Sequence, residues 1–292
     1  MREGVKVMAD EELYDAIMER RSVRRYDDES LSEDILDRVR EIASDTISLI
    51  PENVFCVFLR DYTPGDEGWV LRSAYGRFMT PPHVMVPYVV GTRYPLTDLG
   101  YRVEQIVVRL TSLEIGTCYI GALGAEDGLR SRFDLPEGAR IGATVFFGRP
   151  ASGIGGTLDA VARTLARGRK RRPVEELFFD GDFDHPATPP PAFDTLIEAG
   201  RWAPSAVNVQ PWRFLWHEGR LMLFVTTGRL KYLGGERSQY PLYDGGICMA
   251  NISLAMEALG KQGSWCMGEE ADVEEVEHPD NLRLLSVLTL GG

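Results

Sequence analysis

A run of ten residues from Ala203 to Trp212 places short polar side chains between two prolines. Its sequence, Ala-Pro-Ser-Ala-Val-Asn-Val-Gln-Pro-Trp, joins an apolar-periodic segment to a strand-like one. Proline restricts the backbone, while Ser205 and Asn208 can offer a hydroxyl and an amide to a ligand with little loss of side-chain entropy. The run predicts a stiff polar loop suited to ligand binding. A plain helix-to-strand turn, with Asn208 bonded to its own backbone, would have the same composition.

Two basic segments could bind an anion. The first, Arg20-Arg21-Ser22-Val23-Arg24, follows an amphipathic helix whose C-terminal end favours cations. The second runs from Arg163 to Pro173 and holds six basic residues. Guanidinium groups bind phosphate through charge-assisted and often bidentate hydrogen bonds. Each segment alone could equally be a solvated charged surface.

The rest of the composition argues against several classes of protein. The 292 residues carry 32 Lys and Arg against 44 Asp and Glu, and this net charge of −12 disfavours non-specific binding to nucleic acid or anionic lipid. No apolar run is long enough to cross a bilayer, and no apolar leader precedes Asp10, so we expect a cytoplasmic protein without membrane association. The four cysteines and four histidines lack metal-ligand spacing, so no metal site is predicted.

Hydrophobic periodicity predicts two similar successions of helices and strands. In the first, helices are expected over 13–20, 32–42 and 98–113, and strands over 54–59, 84–90 and 141–147. In the second, helices are expected over 193–202 and 244–259, and strands near Phe214 and over 221–225 and 282–290. Ser30 and Glu33 are spaced as a capping box, and Pro87 predicts an edge or bulged strand.

Residue spacing indicates that the two successions are related. Residues 41–59 align with 198–216 without a gap, and residues 98–113 align in the same way with 244–259. A connector rich in Pro and Asp at 180–191 separates them. The sequence therefore predicts an N-terminal half of residues 1–180 and a C-terminal half of residues 181–292, which suggests an ancient duplication.

The two halves differ where a ligand would bind. The positions opposite Pro204, Asn208 and Gln210 are Ile47, Pro51 and Asn53, so the polar loop occurs only in the second half. The basic segments occur only in the first half. Two complementary half-sites predict one complete site between the halves.

In this order the motifs resemble those of the nitroreductase family of FMN-dependent oxidoreductases. The resemblance runs from Leu13 to Gly291. It rests on the Arg-x-Ser-x-basic segment, on the polar loop of residues 203–212, which we call the Ser/Asn loop, and on a long interface helix. It also includes the turn Cys118-Tyr119-Ile120-Gly121-Ala122 and the basic run before Pro173. Two subunits of that family form two flavin sites, each with the loop of one subunit and the basic arms of the other. This chain looks like such a dimer fused into one polypeptide. The resemblance implies an α+β, nitroreductase-like fold, a pseudo-dimer within a monomer, and one flavin site.

The resemblance also implies roles for particular residues, and both halves contribute to them. The FMN phosphate would be held by Arg20, Ser22, Arg169 and Arg171, with Arg21 beside them. Arg24 would lie near N1 and O2 and favour the reduced flavin. Ile120, Gly121 and Ala122 would lie behind the ring, with the Gly121 N–H toward N5. Pro204, Ser205, Ala206 and Asn208 would line the ring, Arg77 could add a contact, and Gln210 would be structural.

The activity implied is hydride transfer from NAD(P)H through flavin N5 to an acceptor such as a nitroaromatic or a quinone. Such a reaction needs no catalytic nucleophile from the protein. A flavin-binding sensor or carrier, or a degenerate member that has lost its flavin, remains an alternative. The family commonly has Pro-x-Glu-Gly in the turn where this chain has Tyr119, Gly121 and Ala122, and Gly121 could be only a turn glycine.

Overall fold

Within the described residues, the first half of the chain forms four helices and a four-stranded antiparallel sheet. The structure is a computed structural model, and it describes residues 10–62, 79–151, 170–227, 234–273 and 276–291. The helices are α1 (Asp10–Glu19), α2 (Glu33–Ser44), α3 (Pro95–Ser112) and α4 (Glu126–Phe133). The strands are β1 (Val54–Asp61), β2 (His83–Val90), β3 (Gly116–Gly121) and β4 (Ala143–Gly148), in the order β1-β2-β4-β3.

In the described part of the second half, the chain forms a five-stranded sheet and two helices. The strands are β5 (Phe178–Asp180), β6 (Trp212–His217), β7 (Arg220–Thr226), β8 (Gly263–Met267) and β9 (Leu282–Leu290), in the order β5-β6-β7-β9-β8. The helices are α5 (Asp194–Arg201) and α6 (Tyr240–Ala258). Adjacent strands of this sheet are antiparallel, except for β5 and β6, which are parallel.

The two halves repeat one arrangement. The order β1-β2-β4-β3 recurs as β6-β7-β9-β8, and the long helices α3 and α6 occupy corresponding places. Each of these helices has a proline in its first turn, where no backbone donor is lost to the helix. The predicted α+β fold with two related halves is confirmed.

The seam between the halves is the contact of α3 with α6, and it depends on two glycines. A Cβ on Gly100 would lie 2.2 Å from the carbonyl oxygen of Tyr243, and a Cβ on Gly246 would lie 2.0 Å from that of Thr97. These contacts are equivalent under the alignment of 98–113 with 244–259. The absence of a side chain at both positions lets the two backbones touch.

The connection between the halves contains β5, which ends at Asp180 and pairs with β6 of the second sheet. The chain therefore joins the second sheet before residue 181. The division into residues 1–180 and 181–292 stays a prediction. Among the described helices, none combines the length and apolarity needed to cross a membrane.

One local prediction was wrong, and a second was wrong in one of its two alternatives, that of an edge strand. The N-cap of α2 is Ser32, whose carbonyl accepts from the amides of Ile35 and Leu36, and Ser30 lies outside the helix. Strand β2 is an inner strand between β1 and β4, not an edge. It tolerates Pro87 because regular pairing with β4 ends at Met85 and resumes only as an isolated bridge at Val89, so the missing N–H falls in an interruption of the ladder.

Candidate functional site

The polar loop of the second half has an unusual backbone. Val207, Asn208 and Gln210 have φ angles of 46°, 57° and 53°, a left-handed region that is costly for residues other than glycine and most of all for β-branched ones. The loop is fixed because Ser205 Oγ accepts from the Gln210 amide at 2.9 Å. Such strain persists only where the surroundings impose it, and it is concentrated at functional sites.

A buried carboxylate on α6 also holds this loop. The Ala206 amide donates to Oδ2 of Asp244 at 3.0 Å. In the first half, the Leu49 amide donates to Oδ1 of Asp98 on α3 at 2.8 Å. Both bonds join equivalent residues, so the two halves anchor this loop alike although its sequence differs between them. Burial raises the pKa of Asp244 well above its ordinary value, against the effect of the Ala206 amide.

The described end of the second basic segment, Lys170 to Pro173, lies directly on this loop. Asn208 Nδ2 donates to the Lys170 carbonyl at 2.9 Å, and Arg171 Nη1 donates to Asn208 Oδ1 at 3.2 Å. Arg171 Nη2 also donates to the Trp202 carbonyl at 3.0 Å, and its guanidinium carbon lies 5.1 Å from the centroid of the Trp202 ring. The contacts bring the basic run and the Ser/Asn loop together.

Gln210 completes this connection. Its side-chain oxygen accepts from the Arg172 amide at 2.8 Å, and its Nε2 donates to the Lys170 carbonyl at 3.2 Å. The side chain is buried, so it acts as a tie between two loops, in agreement with the structural role expected for it.

The N-terminal basic segment runs beside β3. Ser22 forms a parallel bridge with Thr117, and the Val23 amide donates to the Thr117 carbonyl at 2.8 Å. Arg24 Nη1 donates to the Ser22 carbonyl at 3.4 Å. Burial raises the pKa of the Cys118 thiol, and the nearby charges of Arg24 and Arg20 oppose that shift. Arg21, in contrast, is exposed.

The N-terminal basic segment reaches Glu104, a fully buried residue of α3, and the charge of Arg171 acts on the same carboxyl group. Its Oε1 lies 3.7 Å from Arg20 Nε, and its Oε2 accepts a hydrogen bond of 2.6 Å from the hydroxyl of Tyr119. Burial raises the pKa of Glu104 to about 7, against the lowering effect of Arg20, Tyr119 and Arg171. We call Glu104, Arg20, Arg171 and Tyr119 the Glu104 cluster.

Sequence reasoning assigned Arg20 and Arg171 to one site but missed Glu104, although the sequence holds a signal for it. Glu104 stands among the apolar residues Val103, Ile106 and Val107 on the buried face of a long helix. A charged side chain in that position needs buried partners. The sequence alone did not indicate which residues those partners would be.

The segment that was expected to be a turn behind the flavin is strand β3, which ends at Gly121. Ile120 is buried in that strand, and Ala122 is buried just after it. A Cβ on Gly121 would lie 2.3 Å from the hydroxyl of Tyr240, so packing of the second half alone already requires a glycine there. Tyr119 points its hydroxyl at Glu104 in the seam.

The described part of the site fits a phosphate. Among the described residues, Arg20 Nε is buried and has no hydrogen-bond acceptor, which leaves a donor for an anionic oxygen.

Pro204 and Ser205 lie in the loop next to Ala206. Arg77 and Arg169 lie outside the described residues. Within the described ranges no group of His, Cys, Asp and Glu could hold a metal ion.

Comparison with known proteins identifies the family of this chain. The chain belongs to the nitroreductase family described as "Putative TM nitroreductase", which matches residues 12–255. A structure titled a putative nitroreductase from Thermotoga maritima covers 99% of this chain and 96% of its own, with 18% identity and a TM-score of 0.57. No protein of curated function matches.

Shorter nitroreductases match about half of the chain. One from Bacteroides fragilis, titled as having bound FMN, is 20% identical and covers 50% of this chain and 91% of its own, with a TM-score of 0.41. Another nitroreductase with bound FMN, from Desulfitobacterium hafniense, is 24% identical and covers 49% of this chain and 91% of its own, with a TM-score of 0.42.

Proposed function

We propose that this chain is an FMN-dependent oxidoreductase with one flavin site between its halves. The observation that carries the proposal is that Arg20 lies beside buried Glu104 while Arg171, whose charge acts on the same carboxyl group, is hydrogen-bonded to the Ser/Asn loop. One half supplies the N-terminal arginine and the other supplies the loop. Membership in the nitroreductase family and the FMN-bound relatives support the choice of FMN.

In this proposal, Arg20, Ser22 and Arg171 hold the phosphate, with Arg169 from the same basic run and Arg21 at the edge. Arg20 Nε offers a buried donor, and the Arg171 guanidinium is already oriented by Asn208 and the Trp202 carbonyl. A donor that is fixed before the ligand binds loses less entropy on binding.

The ring would lie between the end of β3 and the strained loop. Ile120, Gly121 and Ala122 form one wall in this proposal, and Pro204, Ser205, Ala206 and Asn208 form the other. Arg24 would place a cation near the pyrimidine edge of the ring. When bound, FMN supplies hydride chemistry between NAD(P)H and an acceptor such as a nitroaromatic or a quinone. The protein contributes orientation and electrostatics, and a cytoplasmic, monomeric pseudo-dimer stays our prediction.

The absorption spectrum of the purified protein tests this function. We expect a yellow protein with flavin bands that bleach when NADH or NADPH is added without oxygen. A yellow protein that neither donor bleaches would indicate a flavin-binding sensor or carrier. A colourless protein that cannot be loaded with FMN would refute the proposal.

A further inference from the structure

Glu104 is an acidic residue in a place where the proposed function requires a bound anion. It lies fully buried beside Arg20, and the charge of Arg171 acts on it as well. The proposed function assigns both arginines to a phosphate. The guanidinium groups of Arg20 and Arg171 would therefore have to neutralise both the Glu104 carboxylate and the phosphate.

The ion pair between Glu104 and Arg20 is not closed. The 3.7 Å between Oε1 and Nε is too long for a hydrogen bond, and among the described residues neither atom has another hydrogen-bond partner. A buried charge with incomplete hydrogen bonding is costly. A phosphate oxygen could accept from Nε without breaking any hydrogen bond that this atom makes to the described residues.

The groups around Glu104 decide how its charge can change. Arg20 and Arg171 favour the ionised carboxylate, and so does the hydrogen bond from Tyr119 on β3. Tyr243 on α6 also faces it, and burial raises the pKa of that phenol well above its ordinary value. Burial outweighs these lowering effects and holds the pKa of Glu104 at about 7, so the added repulsion of a nearby phosphate would leave the carboxyl group protonated in neutral solution.

We propose that Glu104 is the internal counter-anion of Arg20 and Arg171, and that a phosphorylated flavin enters this site as Glu104 takes up one proton. The inference rests on the proposed function. The ionised carboxylate accepts a proton from solvent and becomes a neutral carboxyl group, and the phosphate then balances the arginine charges. Glu104 is a positioning residue, because it sets the charge available to the phosphate and does not touch the reacting ring.

The sign of the pH dependence follows from linkage. Below a pH of about 7, Glu104 is already protonated and no further proton is needed. Above it, every binding event must take up a proton, so the affinity for FMN falls by up to about tenfold per pH unit. The FMN phosphate is predominantly a dianion at every pH above 7, because its second pKa is about 6. Riboflavin lacks the phosphate and should bind without this dependence.

The experiment measures the dissociation constants of FMN and riboflavin from pH 7 to pH 9 by quenching of flavin fluorescence. Calorimetry at pH 7.5 in two non-phosphate buffers of different ionisation enthalpy measures the proton uptake directly. The wild type should lose FMN affinity with rising pH, whereas Glu104→Gln should be independent of pH, bind FMN at least about tenfold more tightly at pH 8.5 and take up no proton. Tyr119→Phe removes a donor to the carboxylate, so the loss should begin at a higher pH.

Glu257→Gln is the matched control. It removes one negative charge from the other long helix, where the carboxylate pairs with Arg109, and it should retain the wild-type pH dependence. FMN affinity that is independent of pH in the wild type, or an equal slope in Glu104→Gln, would overturn the inference and leave the proposed function intact. Failure of both flavins to bind to the wild type and to Glu104→Gln would refute the proposed function and this inference with it.

Discussion

Nη1 of Arg171 donates a hydrogen bond to Oδ1 of Asn208 at 3.2 Å, and this bond connects the second basic segment to the loop of the other half. The same guanidinium bonds the Trp202 carbonyl, and its charge reaches Glu104. A single arginine thus contacts the loop that would line the ring and faces the cluster that would receive the phosphate.

Replacement of Arg171 by Gln should weaken FMN binding by about 10- to 100-fold, because a charge-assisted hydrogen bond contributes about 1.5–3 kcal/mol. The measurement is the FMN dissociation constant, with circular dichroism to confirm folding. Arg172→Gln is the matched control, since Arg172 points its guanidinium at Glu176 on the surface. Equal losses in the two variants would show that general charge, and not the position of Arg171, governs affinity.

Replacement of Arg24 by Ala should lower the flavin reduction potential and slow hydride uptake by about tenfold, an effect of about 1.4 kcal/mol. FMN binding should weaken less, because a cation near N1 and O2 acts mainly on the reduced ring. Anaerobic stopped-flow reduction is compared with the FMN dissociation constant, and Arg25→Ala, at an exposed neighbouring position, serves as the control. Equal losses in rate and affinity would contradict the assigned role.

One FMN per chain is the expected stoichiometry. The loop of the first half presents Ile47, which is 63% exposed, where the second half has Pro204. Its Asn53 is turned inward and donates to Asp98 Oδ2 at 3.2 Å. Flavin absorbance measured against protein concentration provides the ratio. A ratio of two would mean that the loop at 47–53 also supports a flavin site.

Replacement of Gly246 by Ala should lower the free energy of unfolding by about 1–3 kcal/mol, because the new Cβ would overlap the Thr97 carbonyl oxygen across the seam. Gly128→Ala in α4 is the opposite control. Its Cβ would meet no described atom within 4 Å, so it should stabilise the protein by up to about 1 kcal/mol. Urea unfolding measures both, and an unchanged midpoint for Gly246→Ala would contradict the tight seam.

Much of the fold follows from local patterns in the sequence. The long helices and the strand pairs have strong periodicity, and the equal spacing of Gly100 and Gly246 from their neighbours indicated the repeat. The three-residue strand β5 could not be predicted, because β6, the strand beside it in the sheet, lies more than thirty residues away in the sequence. Its pairing is a tertiary property without a periodic signal of its own.

The site was predicted less completely for a similar reason. That Arg20 and the Ser/Asn loop share one site stays a prediction, and the positive φ of Val207 contradicts the usual preference of a β-branched residue. That conformation is imposed by the surrounding contacts. Glu104 likewise acquires its role only from side chains contributed by distant segments.

The paired anchors at Asp98 and Asp244 have a consequence for how this molecule can vary. In an assembly of two identical subunits every substitution appears twice, so a change in one loop alters both binding sites. In this chain the two loops have independent sequences, while the backbone of each is held by an equivalent aspartate side chain. The loop at Leu49 can therefore accept new side chains with its framework preserved, and the loop at Ala206 is left untouched by them.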